Sequence, residues 1–436
     1  MKILFITPQL PFPLHQGTTI RNFNLIRYLA HRHEIDLLTF APSSSASAKL
    51  DEKRALISDN PLKQLCRRIE LVEEPERTIG IRALDTLRSR LPDMALRLES
   101  SHMRQTINQI VSAIQRQERP LYDIVQIEGI EVAQYGMQFV DNIPQSIRPI
   151  LAFDNHNCEY LLQKRNALTD LRQPRRWIGA GYSLIQWRKL SAYEAQVCRM
   201  ANITTVVSPN DGKALSEIVP ELNPIVVSNG IDLEAYSIIH DRVIPENRFD
   251  HKTVHRLVFV GKMDYRPNVD AVLWFGHEVL PKLQHSVPNV EFVIVGQNPH
   301  SRLDELRTNP AVVITGWVED PRPYIETASV YVIPLRVGGG TRFKALEAMA
   351  VGQAIVSTSL GIEGIPIQSG QEMILADEPG SFVSAIVTLL KDRESSGELC
   401  STLGQHARKF VSEHYDWAQI VPRFEQAYER VIQHSA

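Results

Sequence analysis

The chain has 436 residues, about three times the ~150 residues typical of one domain, which excludes a single small core. A hydrophobic content of 43% and a charged content of 22% exclude the disordered, collagenous and disulfide-scaffold classes. The net charge of −3 hides an asymmetry: residues 1–220 carry 28 Lys and Arg against 23 Asp and Glu, the remainder 19 against 27. Neither half is basic enough for a nucleic-acid binder.

In chain order, short apolar β-rich runs alternate with amphipathic stretches at the ~30-residue period of βα units. Strands are predicted at residues 3–7, 34–40, 69–72, 124–127, 150–154 and 203–207 in the first half. A second set follows at 256–260, 290–295, 312–315, 330–333 and 354–357. Between the first two strands, Arg21 to His31 has helical apolar spacing. Between the two sets, His240 to Val254 carries three acids and no apolar periodicity, which suits a domain boundary. A final helix is expected over Trp417 to Gln433. Cys66, Cys158, Cys198 and Cys400 have no C-x-x-C spacing and read as buried thiols in a reducing compartment. No apolar run approaches the ~18 residues of a spanning helix, and Pro8, Pro11 and Pro13 break up the apolar start.

The segment richest in chemistry is Pro334 to Gly352, where a strand runs into Gly338-Gly339-Gly340-Thr341 and then a helix-forming series. Glycines let backbone N–H groups approach a ligand, and a helix N-terminus supplies free donors and a positive dipole end, so a diphosphate suits this place. Thr341 is the expected cap, with Arg342 and Lys344 adding positive charge. Glu347 follows within two turns, where an ionised carboxylate can accept both hydroxyls of a ribose. The plainer alternative is a flexible turn with a solvated Glu347.

The run GGGTRFKALEAMAVGQAIVST, with VVSNGID (Val226 to Asp232) and LVFVGKMDYRPNVDAVLWF (Leu257 to Phe275), resembles the family 4 retaining glycosyltransferases. The order of segments resembles that family over most of the chain. The resemblance implies an α/β GT-B fold: two Rossmann-like domains facing a cleft, with residues 1–238 as acceptor domain, 239–414 as donor domain, and 415–436 packing back on the first. It implies transfer of a sugar from a nucleoside diphosphate sugar, of UDP or GDP type, to a saccharide or lipid-linked acceptor in polysaccharide or glycolipid synthesis. Glu347 matches the second Glu of the family's E-x7-E motif, and the first falls at Gly339, as in a GGGTR/LEAMA subtype. There the backbone of Gly339, Gly340 and Thr341 takes over part of the missing acid's work. Lys262 and Arg266 match cations that stabilise the leaving diphosphate. Gly17 matches a glycine near the donor phosphate or acceptor. His156 matches a residue that contacts the donor sugar or orients the acceptor, Val318 lies where backbone meets the base, and Glu128 is expected to face the cleft.

No D-x-D or metal-ligand spacing is present, so neither a catalytic metal nor another cofactor is expected. Leu161 to Arg199 holds eight Lys and Arg against two acids, with Trp177, Tyr182, Trp187 and Tyr193 interleaved. Such a stretch is either a lipid-facing surface or a solvated helix with its aromatics in the core, and Ile81 to Arg104 is a second candidate of the same kind. The expected location is the cytoplasm, with peripheral contact at the inner face of the membrane under the first reading. The competing functions are a nucleotide-sugar epimerase of the same fold and a non-enzymatic two-lobed sugar-binding protein.

Overall fold

The computed structural model describes residues 1–14, 16–41, 60–171, 177–236, 255–338 and 342–435. The stretch His240 to Val254 and the expected domain border at 238/239 lie outside them. The chain divides into two compact units, Met1–Asn229 with Ile420–Ala436, and Gly230–Gln419.

The first unit is built on seven parallel strands: β1 (Lys2–Thr7), β2 (Glu34–Ala41), β3 (Arg68–Glu73), β4 (Ile124–Glu128), β5 (Ile150–Asn155), β6 (Ile203–Val206) and β7 (Ile225–Val226). Their order is β3-β2-β1-β4-β5-β6-β7. Ile3 to Ile6 and Ile124 to Ile127 are almost fully buried along their length, as expected for parallel strands covered on both faces, and their apolar residues carry the strand signal. Its principal helices are α1 (Gly17–Leu29), α2 (Ser101–Gln115), α3 (Ala133–Asp141), α4 (Glu159–Leu171), α5 (Trp177–Met200) and α6 (Pro209–Ile218). Helix α1 starts where Gln16 and Thr19 cap each other, and it buries Leu25, Ile26 and Leu29.

The second unit has six parallel strands: β8 (His255–Val260), β9 (Val290–Val295), β10 (Val312–Gly316), β11 (Val330–Ile333), β12 (Ile355–Ser357) and β13 (Ile374–Leu375). Their order is β10-β9-β8-β11-β12-β13. Helices α7 (Arg266–Trp274), α8 (Phe343–Val351), α9 (Pro379–Glu394) and α10 (Glu398–His414) belong to it. Helix α11 (Trp417–Ser435) ends the chain, and from Ile420 onward its residues belong to the first unit. There it buries Phe424 and Tyr428.

Each sheet reverses its strand order once, between β1 and β4 in the first unit and between β8 and β11 in the second. Open α/β sheets bind ligands beyond the carboxyl ends of strands at such a reversal. All four cysteines are free and buried. Among the described residues no helix is long and apolar enough to cross a membrane.

Candidate functional site

In the second unit, the loops leaving β8 and β11 meet the start of α8. Gly338 has a φ of +107°, and a Cβ there would lie 2.8 Å from Pro267 Cγ, so only glycine allows this approach to α7. At Gly261, at the end of β8, a Cβ would stand 2.7 Å from Asn268 Nδ2 and 3.2 Å from Lys344 Nζ, so any larger residue would displace these two side chains. The Lys344 ammonium donates to Asn268 Oδ1 (2.6 Å) and lies 4.3 Å from the centre of the Phe259 ring. Asn268 in turn donates to the Lys262 carbonyl (2.9 Å), which fixes its amide orientation. Burial, with Arg342 nearby, depresses the Lys344 pKa to about 7 despite the attraction of Glu347. An anion bound there would restore its charge.

Glu347 lies on α8, one turn beyond Lys344, and its Oε1 accepts from the Tyr236 hydroxyl (3.0 Å). Burial pushes the Glu347 carboxyl up, while Tyr236 and Lys344 pull it back. Arg322 stacks 5.9 Å from the Tyr236 ring centre and is itself held by Asp320 (2.8 and 2.9 Å). The N-cap position of α8 falls at Arg342, with no side-chain capping bond, one residue after the expected Thr341. The Arg342 side chain is buried and donates to Glu363 Oε2 (3.2 Å), so Arg342 also packs the loop that carries Glu363. Gly339, Gly340 and Thr341 lie outside the described residues. Lys262 is exposed and sits 3.6 Å from Asp264, and Arg266 is the exposed first residue of α7. Val318 packs partly buried on the unit's core, next to the exposed Trp317.

In the first unit, a second group forms at the carboxyl ends of β4 and β5. Asp154 is fully buried and receives two bonds from Arg21 (2.6 and 2.9 Å) and one from the Thr205 hydroxyl (2.6 Å). Burial opposes its charge, but Arg21 and His156 together outweigh burial and hold the carboxyl below the usual range. His156 Nε2 lies 2.9 Å from Glu128 Oε2 and 3.4 Å from Asp154 Oδ2. Burial disfavours the imidazolium, yet the two carboxylates prevail and raise its pKa to about 9. Glu128 is fully buried against this imidazole, a more enclosed position than the cleft-facing one expected. Burial and Asp154 push the Glu128 carboxyl up, and His156 pulls it back.

The polar atoms of Glu128, Asp154 and His156 lie within 4.8 Å of one another. Beside them opens a polar cavity of about 270 Å³, lined by His156, Gly129, Glu131, Glu159, Asn157 and Gln16 among others. Gly17 is the first residue of α1, next to that rim.

Of the residues singled out in the sequence, Lys344, Glu347 and His156 lie in these two groups; Asn268, Tyr236 and Arg21, not singled out there as site residues, lie in them too. Much of the basic stretch is engaged locally. Tyr193 is buried, Lys189 donates to the Thr86 and Ser89 carbonyls, Arg199 pairs with Glu221, and Lys164 sits over Trp187. Leu168, Leu171, Trp177 and Ile185 are exposed, Trp177 by 62%. Arg172, Arg175 and Arg176 lie outside the described residues. In the second basic candidate, Arg82, Arg97 and Arg104 are ion-paired with Asp93, Glu131 and Glu99.

Residues 254–392 match the family model described as glycosyl transferases group 1. The chain is 24% identical over 215 residues to the phosphatidyl-myo-inositol mannosyltransferase of Mycolicibacterium smegmatis, covering 48% of this chain and 52% of that protein. It spans about half the length of the curated relatives it matches, 47% and 55% for two others. Sucrose-phosphate synthase from Thermosynechococcus elongatus has a similar structure, with a TM-score of 0.66 and 16% identity over 100% of both chains. Anabaena HepE, solved in complex with UDP and glucose, gives a TM-score of 0.62 at 13% identity, over 98% of this chain and 99% of that one. The two Rossmann-like units and these likenesses define an α/β GT-B fold.

Proposed function

We propose that the chain is a retaining, metal-independent glycosyltransferase of the family 4 type, moving a sugar from a UDP- or GDP-type donor to an acceptor hydroxyl in polysaccharide or glycolipid synthesis. The observation that carries this reading is the juxtaposition of Lys344 and Glu347 on the first turns of α8, inside the matched segment. A ribose would bond Glu347, and the diphosphate would meet Lys344 and the helix N-terminus. The mannosyltransferase relative and the UDP and glucose complex of HepE support a nucleotide-sugar donor. The acceptor is assigned to the first unit, in the cavity beside His156. In the reaction, the acceptor oxygen bonds to the anomeric carbon on the face from which the diphosphate leaves. The carbon–oxygen bond to the diphosphate breaks, and the acceptor proton passes to a phosphate oxygen. Lys262 and Arg266 stabilise the charge that grows on the leaving group.

Incubation with UDP- and GDP-hexoses and saccharide or lipid-linked acceptors should release nucleoside diphosphate in the presence of a chelator. The product should have the donor's anomeric configuration by proton NMR couplings. Net epimerisation without transfer, inversion, or loss of turnover with chelator would contradict the corresponding part of the reading. We assign the exposed face at Leu171, Trp177 and Ile185 to peripheral contact with the inner face of the membrane, the protein otherwise being cytoplasmic. Sedimentation with anionic vesicles at low salt should carry the protein down, less so for Trp177→Ser and at high salt. No binding at low salt removes the membrane contact.

A further inference from the structure

A line of hydrogen bonds runs from the last helix to His156. The Tyr428 hydroxyl, fully buried on α11, donates to Gln126 Oε1 (2.8 Å). Burial raises the Tyr428 pKa well above its ordinary value, so the hydroxyl keeps its proton and remains a donor. With its oxygen accepting, Gln126 turns its Nε2 to Glu128 Oε1 (2.9 Å). Glu128 Oε2 faces His156 Nε2 at 2.9 Å, and the Asn22 amide nitrogen, turned toward it, donates at 2.8 Å. Donors thus converge on both oxygens of Glu128, which opposes the upward push of burial and Asp154 on its carboxyl. Two buried carboxylates, Glu128 and Asp154, then face one buried guanidinium, Arg21, and the remaining negative charge is cancelled only when the imidazole carries a second proton.

We propose that Glu128, oriented and kept ionised by Gln126 and Tyr428, is the positioning residue that holds His156 as an imidazolium and aims an Nδ1–H donor at the neighbouring cavity. Among the described residues Nδ1 has no hydrogen-bond partner, and it lies on the Gly129 side of the ring, where a Cβ on Gly129 would come within 3.6 Å of it. Both residues line that cavity. His156 is then a charged donor to a hydroxyl or phosphate oxygen and is unable to serve as a base. The charged groups that face it are Glu128 on β4, Asp154 on β5 with its partner Arg21 on α1, and the cavity acids Glu74, Glu131 and Glu159. Glu131 is itself paired with Arg97 (2.7 Å), and burial raises Glu159 to about 8.

The catalytic consequence rests on the transferase reading, whereas the protonation state does not, and two measurements separate them. Nitrogen-15 NMR of the histidine rings in the full chain, with His156 identified by its loss in His156→Gln, reads both ring nitrogens directly. Both should be protonated at pH 7.5. In Glu128→Gln the midpoint should fall by about two pH units, and Tyr428→Phe should move it in the same direction by less. A neutral wild-type ring at pH 7.5, or a midpoint unmoved in Tyr428→Phe and in folded Glu128→Gln, overturns the proposal. With donor and acceptor, Glu128→Gln should lower kcat by about 100-fold with donor KM unchanged. An unchanged kcat and pH profile would overturn the catalytic consequence while leaving the NMR result standing. A chain that binds no nucleotide would defeat the transferase reading alone.

Discussion

Glu347→Ala should raise the donor KM about 100-fold while leaving kcat within a few fold. The carboxylate can accept two ribose hydroxyls, and hydrogen bonds to a charged group contribute about 1.5–3 kcal/mol each net of exchange with water, so losing them costs at least the ~2.7 kcal/mol of a 100-fold change. The ribose is remote from the breaking bond, so the loss falls equally on ground and transition states. Tyr236 already bonds Oε1, and that oxygen has a second lone pair for a hydroxyl. Tyr236→Phe should therefore weaken donor binding less than Glu347→Ala does. Steady-state kinetics with varied donor checks both, and a Glu347→Ala enzyme with unaltered KM would show that the ribose lies elsewhere.

Arg21→Met should cost about 3–5 kcal/mol of stability, the range for removing one partner of a buried ion pair. Arg21 is 1% exposed and bonds Asp154 and Asn229, besides the Val227 and Ser228 carbonyls. Without it, Asp154 and Glu128 face one imidazolium. The pH dependence has a defined sign. In the wild type the folded-state pKa of Asp154 is depressed, so its contribution is present above the unfolded value and lost as pH falls toward the folded one. The variant lacks that contribution, so its deficit at pH 7 should persist down to about pH 5 and shrink only below the unfolded carboxyl range of ~4, as at about pH 2.5. Urea denaturation at these pH values measures it. A deficit under about 1 kcal/mol at pH 7 would mean that the pair is not the structural anchor the geometry implies.

The parallel sheets were legible because strands buried on both faces leave continuous apolar runs, such as Ile3 to Ile6 and Phe292 to Val295. β13 was not legible, since a two-residue strand leaves no pattern. Glu347 and Lys344 could be read from one local motif. Their partners could not: Tyr236 and Asn268 lie 111 and 76 residues away in the chain. The same holds for Gln126 and Tyr428, 302 residues apart. Arg21 was hidden for another reason. In an amphipathic helix a charged residue reads as the solvent face, yet here it is the most deeply buried cation of α1. Arg342 was expected to meet a ligand, and its burial against Glu363 gives it a structural task that only the fold reveals.

The central claim is that a nucleoside diphosphate binds at the start of α8 through Glu347 and Lys344. Calorimetric titration with UDP and with GDP, in wild type, Glu347→Ala and Lys344→Met at pH 6.5 and 8.5, tests it most directly. Because burial sets Lys344 near 7 and a bound diphosphate favours its ammonium form, binding above pH 7 takes up a proton. The affinity of the preferred nucleotide should then fall by up to about tenfold per pH unit. Both substitutions should weaken it, and Lys344→Met should flatten its pH dependence. Failure of both nucleotides to bind the wild type, or equal affinity in wild type and both variants, would contradict the account.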